Sequence, residues 1–68
     1  TSLLDLADYL DEISHDMFFH HVNDERNDFA SWVHEVMEEP VLADQMIEIR
    51  DPVRTQVIVL KHLVKKKK

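Results

Sequence analysis

Hydrophobic positions recur every three or four residues along almost the whole chain, a pattern that predicts helices and little else. In the first segment Leu3, Leu6, Ala7, Leu10 and Ile13 share one face. Asp5, Asp8, Asp11 and Glu12 occupy the other face, and Ser2 is placed to cap the start. A short second segment runs from Met17 to Val22, with Phe18 and Val22 one turn apart and Ser14 or Asp16 as its cap. After the polar stretch Asn23 to Arg26, Asn27 or Asp28 opens a third helix. Its Phe29, Trp32, Val33, Val36 and Met37 form the clearest apolar stripe in the sequence. Pro40 cannot extend that helix but suits the first turn of the next, where Leu42, Met46 and Ile49 follow at four and three. Asp51 and Pro52 repeat the device and start a fifth segment. The expected fold is all-α, a compact bundle of four to five short helices.

The fifth segment is ambiguous by propensity, because Thr55 to Leu60 is rich in the β-branched residues that favour strands. Helix is the better reading. Asp51-Pro52 is a helix start signal, and Val53, Val57, Leu60 and Val64 lie in one narrow stripe at 100° per residue. Ile58 and Val59 fall on the opposite side of the same wheel, so this helix is apolar around more of its circumference than a surface helix needs. A chain of 68 residues has little protein with which to cover both faces. The pattern therefore predicts self-association, or docking on a protein partner, through the apolar back of the fifth helix at Ile58, Val59, His62 and Leu63. The competing reading is a central helix wrapped by the other four.

Composition narrows the function classes. A single domain of this length buries only about 60% of its unfolded surface, and without cysteine it has neither disulfides nor a thiolate zinc site to compensate. The absence of glycine removes phosphate-cradling loops and easy left-handed helix ends, so connections must use Asn, Asp, Pro or charged residues. The net charge of −6 is divided: residues 1–51 carry all 14 acids against Arg26 and Arg50, a balance of −12. Residues 52–68 carry Arg54, Lys61 and Lys65 to Lys68, a balance of +6. The expected organisation is an acidic helical domain over 1–51, with a basic C-terminal helix and lysine tail over 52–68 packed on it or extending from it. Such a tail is ordinarily a solvated charge run. An alternative function is a nucleic-acid-associated protein that uses Lys61, Lys65, Lys66, Lys67 and Lys68. No apolar run reaches the ~20 residues of a membrane span and no signal peptide opens the chain, which points to the cytoplasm. Thr1 fits a chain that has lost an initiator methionine, and equally an excised domain.

Five histidines invite a metal reading. His20 and His21, however, point about 100° apart on a helix. The pairs Asp16/His20, His20/Asp24, His21/Glu25 and His34/Glu38 each offer two ligands, and no segment collects the four of a closed zinc site. A small metal-binding protein is thus the second alternative, and no metal or other cofactor is called for. Catalysis has less support: Ser2, Ser14 and Ser31 suit caps or exposed helical positions, and a nucleophile elbow needs a strand and glycine. A ligand pocket of ~300–1,000 Å³ is also hard to build in so small a bundle. Phe18, Phe19, Phe29 and Trp32 are expected in the core, since base stacking would need a basic groove around them.

The run Phe18-Phe19-His20-His21-Val22-Asn23-Asp24-Glu25-Arg26-Asn27-Asp28-Phe29-Ala30-Ser31-Trp32-Val33 resembles a family of small, functionally uncharacterised helical domains. Its members come mostly from archaea and some bacteria, and its signature is aromatic-H-H-V-N-x-x-[KR]-N-D-F-x-x-W. The likeness spans about residues 3–46, including Leu42-Ala43-Asp44-Gln45-Met46 against the family's L-A-x-x-[LM]. Glu39-Pro40-Val41 replaces the family's usual Gly-Asp turn, and the segment from Asp51 onward has no counterpart. The resemblance implies a helical domain and brings no activity with it. Its polar residues His20, His21, Asn23, Arg26, Asn27 and Asp28 gather at one interhelical corner, which is expected to satisfy exposed backbone and is the place to seek a bound ligand or partner.

Overall fold

In the computed structural model, which describes residues 2–66, five helices follow one another: α1 (Leu3–Glu12), α2 (His15–His21), α3 (Asp28–Glu35), α4 (Pro40–Met46) and α5 (Pro52–Lys66). The fold is an all-α bundle. The fifth segment is helical despite its β-branched content, because its start is doubly fixed. The Asp51 carboxylate accepts the Arg54 amide at 2.9 Å, and the Asp51 carbonyl accepts both the Thr55 amide at 2.9 Å and the Thr55 hydroxyl at 2.8 Å.

Each other helix start has an identifiable cause. Ser2 Oγ accepts the Asp5 amide at 3.2 Å, and Ser14 Oγ accepts the Met17 amide at 3.1 Å. α2 therefore begins at His15, two residues ahead of the expected Met17, and Ser14 rather than Asp16 is its cap. Asn27, not Asp28, caps α3 through its side-chain oxygen on the Ala30 amide. α4 has no side-chain cap; Pro40 removes one of the amides that would need one. α4 also stops at Met46, so Ile49, expected on its stripe, lies beyond it. α3 ends without glycine by placing Glu38 in the left-handed region at φ 55°, and the Glu39 amide turns back to the Val33 carbonyl at 3.2 Å.

The core gathers Leu3, Leu6, Ala7 and Leu10 of α1, Phe18 of α2 with Val22 just beyond it, and Phe29, Ala30 and Val33 of α3. Leu42, Ala43 and Met46 of α4 and Val59 of α5 complete it. α5 packs along α1 on one side and against α4 on the other, so the basic helix shares the single core of the acidic segment. Phe18 and Phe29 stack at 5.7 Å between centroids. Phe19, expected inside, is exposed, Trp32 is only half-buried and Val36 is exposed. α3 ends at Glu35, so Val36 falls at its C-cap, past the last helical turn that buries Val33.

Candidate interaction surfaces

The histidine corner is built by a tight turn between α2 and α3. Asn23 Oδ1 accepts the amides of Glu25 and Arg26 at 2.9 and 3.2 Å, and the Asn23 amide donates to the Arg26 carbonyl at 2.9 Å. Val22 and Asn27 then face each other in an isolated antiparallel bridge. Asn27 is buried and works twice: while its oxygen caps α3, its Nδ2 donates at 3.0 Å to the carbonyl of Met46 at the end of α4, which also accepts the Ile49 amide at 3.0 Å. One side chain thus ties the ends of two helices. The Asp28 carboxylate stands 3.0 Å from His21 Nδ1 and 3.5 Å from Arg26 Nε, and Arg26 also donates to the His20 carbonyl at 3.3 Å. His20 itself is exposed, while Arg50 reaches back from the α4–α5 junction to pair with Asp24.

Beside this corner lies an open groove of about 540 Å³ lined by Leu6, Tyr9, Phe29 and Trp32, with Asp5, His21 and Asp28 at its polar edge. It is larger than the size of the chain suggests; in its wall the exposed Tyr9 ring packs at 6.2 Å on the buried Phe29 ring, and half-buried Trp32 completes the apolar lining. A second groove of about 530 Å³ runs between α4 and α5, lined by Val41, Gln45, Ile58, Lys61, His62 and Lys65, with His62 Nε2 3.4 Å from a Glu39 carboxylate oxygen. Among the described residues no three His, Asp or Glu side chains come together as a metal site would require. None of the described helices is long and apolar enough to cross a membrane.

The partner face expected on α5 is reversed. Val59 is fully buried, and Ile58, Leu63 and His62 are half-buried, the two aliphatic side chains against the core, so these four lie toward the inner side of the helix, with Ile58 and His62 reaching solvent only in the groove beside α4. The outer side is the other stripe: Val53, Val57, Leu60 and Val64 are 61, 43, 39 and 62% exposed. Four apolar side chains in line at helical spacing are left to solvent on the longest helix. The inner face escaped the sequence pattern because it contains Thr55, which looks polar yet is fully buried with its hydroxyl satisfied by its own helix.

The two edges of this outer stripe differ in charge. Along one edge run Arg54, Lys61 and Lys65, all exposed. Along the other, Gln56 Nε2 donates to the Ala7 carbonyl at 3.2 Å and to Asp11 Oδ1 at 3.3 Å, which sets the acidic side chain of Asp11 on α1 next to α5. Of the basic residues expected to meet nucleic acid, Lys61 and Lys65 are on this exposed edge; Lys67, Lys68 and the side chain of Lys66 lie outside the described residues. Comparison of the chain with protein-family models, with curated proteins and with solved structures finds no match.

Proposed function

We propose that the chain is a non-enzymatic interaction module that self-associates or docks on a protein partner through apolar helical surface. The observation that carries this reading is the outer stripe of α5, Val53, Val57, Leu60 and Val64, left uncovered by a bundle whose other long helix, α1, buries its apolar stripe. Exposed apolar residues scattered singly need no explanation; four in register along one helix form a contiguous surface of the kind that partners cover. The histidine corner supports the reading from the other side. Asn23 and Asn27 there are engaged in closing a turn and joining two helix ends, while His21 and Asp28 edge the apolar groove lined by Leu6, Tyr9, Phe29 and Trp32.

The test compares the unaltered chain with a Val57→Lys/Leu60→Lys variant, which leaves the core face intact. Light scattering over a concentration range and capture of partners on immobilised protein are the two readouts. Association with itself or with a captured protein is expected for the unaltered chain and lost in the variant, while both keep the same helical circular dichroism. A chain that stays monomeric and captures nothing that the variant fails to capture overturns the reading.

A second reading, association with nucleic acid, is favoured by the exposed edge Arg54, Lys61 and Lys65, which leads into the lysine tail. It requires binding that weakens steeply with added salt and disappears on removal of residues 65–68. The −12 carried by the preceding segment opposes such an approach.

A further inference from the structure

Resting on the interaction-module reading, we infer that the occupant of the α5 stripe is the same stripe of a second copy, aligned parallel to it across a two-fold axis. The spacing supports this first. Residues 53, 57, 60 and 64 step by four, three and four, the spacing of a coiled-coil seam over two heptads. In that register Val57 and Val64 take the a positions and Val53 and Leu60 the d positions. β-branched residues at a with leucine at d are the side chains that favour two parallel strands.

Charge selects the orientation and the occupant. The e positions are Arg54 and Lys61, and the g side carries Gln56, whose amide group holds the Asp11 edge of α1 against α5. A two-fold axis parallel to the helices brings the basic edge of each copy over the acidic edge of the other, on both sides of the seam. A two-fold axis perpendicular to them sets Arg54 against Lys61 and acid against acid. The chain therefore contains both halves of a complementary pairing with itself. A seam of two heptads is too short to hold free peptides together, since isolated helices of this length are marginal. Here α5 is already ordered by the core, so that cost is met before association. The surface is nevertheless narrower than a standard interface, and the dimer is expected to dissociate in the micromolar range or weaker.

The chain has no cysteine, so one introduced thiol reports one contact. Val53→Cys and Val64→Cys are each oxidised alone and as a mixture, with Ser31→Cys, an exposed position on α3, as the reference for random collision. Parallel pairing brings position 53 beside its own copy and 64 beside its own copy, and each variant alone is expected to form disulfide dimers at least tenfold faster than Ser31→Cys. Antiparallel pairing would separate two copies of position 53 by roughly 16 Å, beyond disulfide reach, and give cross-links only between 53 and 64 in the mixture; that result overturns the inference. So does a rate no faster than the reference with a monomer in sedimentation. If that monomer nevertheless captures a protein through the face removed by Val57→Lys/Leu60→Lys, the pairing fails and the interaction reading stands; if it captures none, both fall.

Discussion

Asn27 serves this bundle twice, because the two ends of its side chain bond groups on different helices. Its oxygen receives the Ala30 amide and its nitrogen serves the Met46 carbonyl, both at 3.0 Å, in a buried setting. Losing a cap costs about 1 kcal/mol, and losing one of the two bonds to the Met46 carbonyl, which keeps the Ile49 amide, costs roughly 0.5–1.5 more. Asn27→Ala is therefore expected to destabilise by about 1.5–2.5 kcal/mol, read as a fall of roughly 10–20 °C in thermal melting of a domain this small. Asn27→Ser should recover about 1 kcal/mol of that, since a hydroxyl can cap α3 without reaching α4. Glu38 is the opposite case. Its φ of 55° holds a side chain in a backbone region that costs about 1–2 kcal/mol for a residue with a Cβ. Glu38→Gly removes that strain and adds unfolded-state entropy, so a net gain of about 0.5–1 kcal/mol is expected in urea unfolding. A loss there would mean that the Glu38 side chain contributes more than its backbone costs.

At the scale of the helices, much of the fold was legible because caps and prolines mark where each helix begins and period marks what it buries. Ser2, Asn27, Pro40 and Asp51-Pro52 each begin or cap a helix as read from the sequence. What periodicity could not decide was which of two apolar faces of α5 turns inward. A wheel scores Val53, Val57, Leu60 and Val64 as the better stripe, whereas the folded chain buries Pro52, Thr55 and Val59. The choice depends on Thr55 losing its polarity to the Asp51 carbonyl and on the fit of α5 between α1 and α4, and neither is local to the pattern. Substitution separates the two faces. Val59→Ala removes two fully buried carbons and is expected to cost about 2 kcal/mol. Val57→Ala, measured in dilute protein, should stay within about 0.5 kcal/mol. Equal losses at the two positions would contradict the orientation of the helix. The candidate site was legible only in part for a related reason: the polar corner stood out by its unusual residues, but whether such residues bind or brace depends on partners as distant in sequence as Met46.

For the whole molecule, the net charge of −6 matters less than its geometry. Acidic α1 and basic α5 lie side by side, so each copy presents one edge of each sign along the exposed stripe. This makes the sign of a charge reversal diagnostic of how two copies meet. In the parallel pair Lys61 of each copy faces the Asp11 edge of the other, and the two-fold axis repeats the contact. Lys61→Asp then exchanges two attractions for two repulsions. Exposed pairs contribute about 0.2–1 kcal/mol each and the repulsions a similar amount, so the change is about 0.8–4 kcal/mol and the dimer should weaken at least roughly 4-fold, and up to several hundred-fold, in sedimentation equilibrium. Adding Asp11→Lys restores complementarity with the signs exchanged and should return most of the affinity, while Gln56 keeps its bond to the Ala7 carbonyl and the α1–α5 packing with it. Raising the salt to about 1 M shortens the screening length to about 3 Å and should bring all three proteins toward the same dissociation constant. In an antiparallel pair Lys61 faces Arg54 instead, so Lys61→Asp would tighten the dimer. A single substitution thus moves the equilibrium in opposite directions for the two arrangements, and the direction is readable even if the magnitude is small.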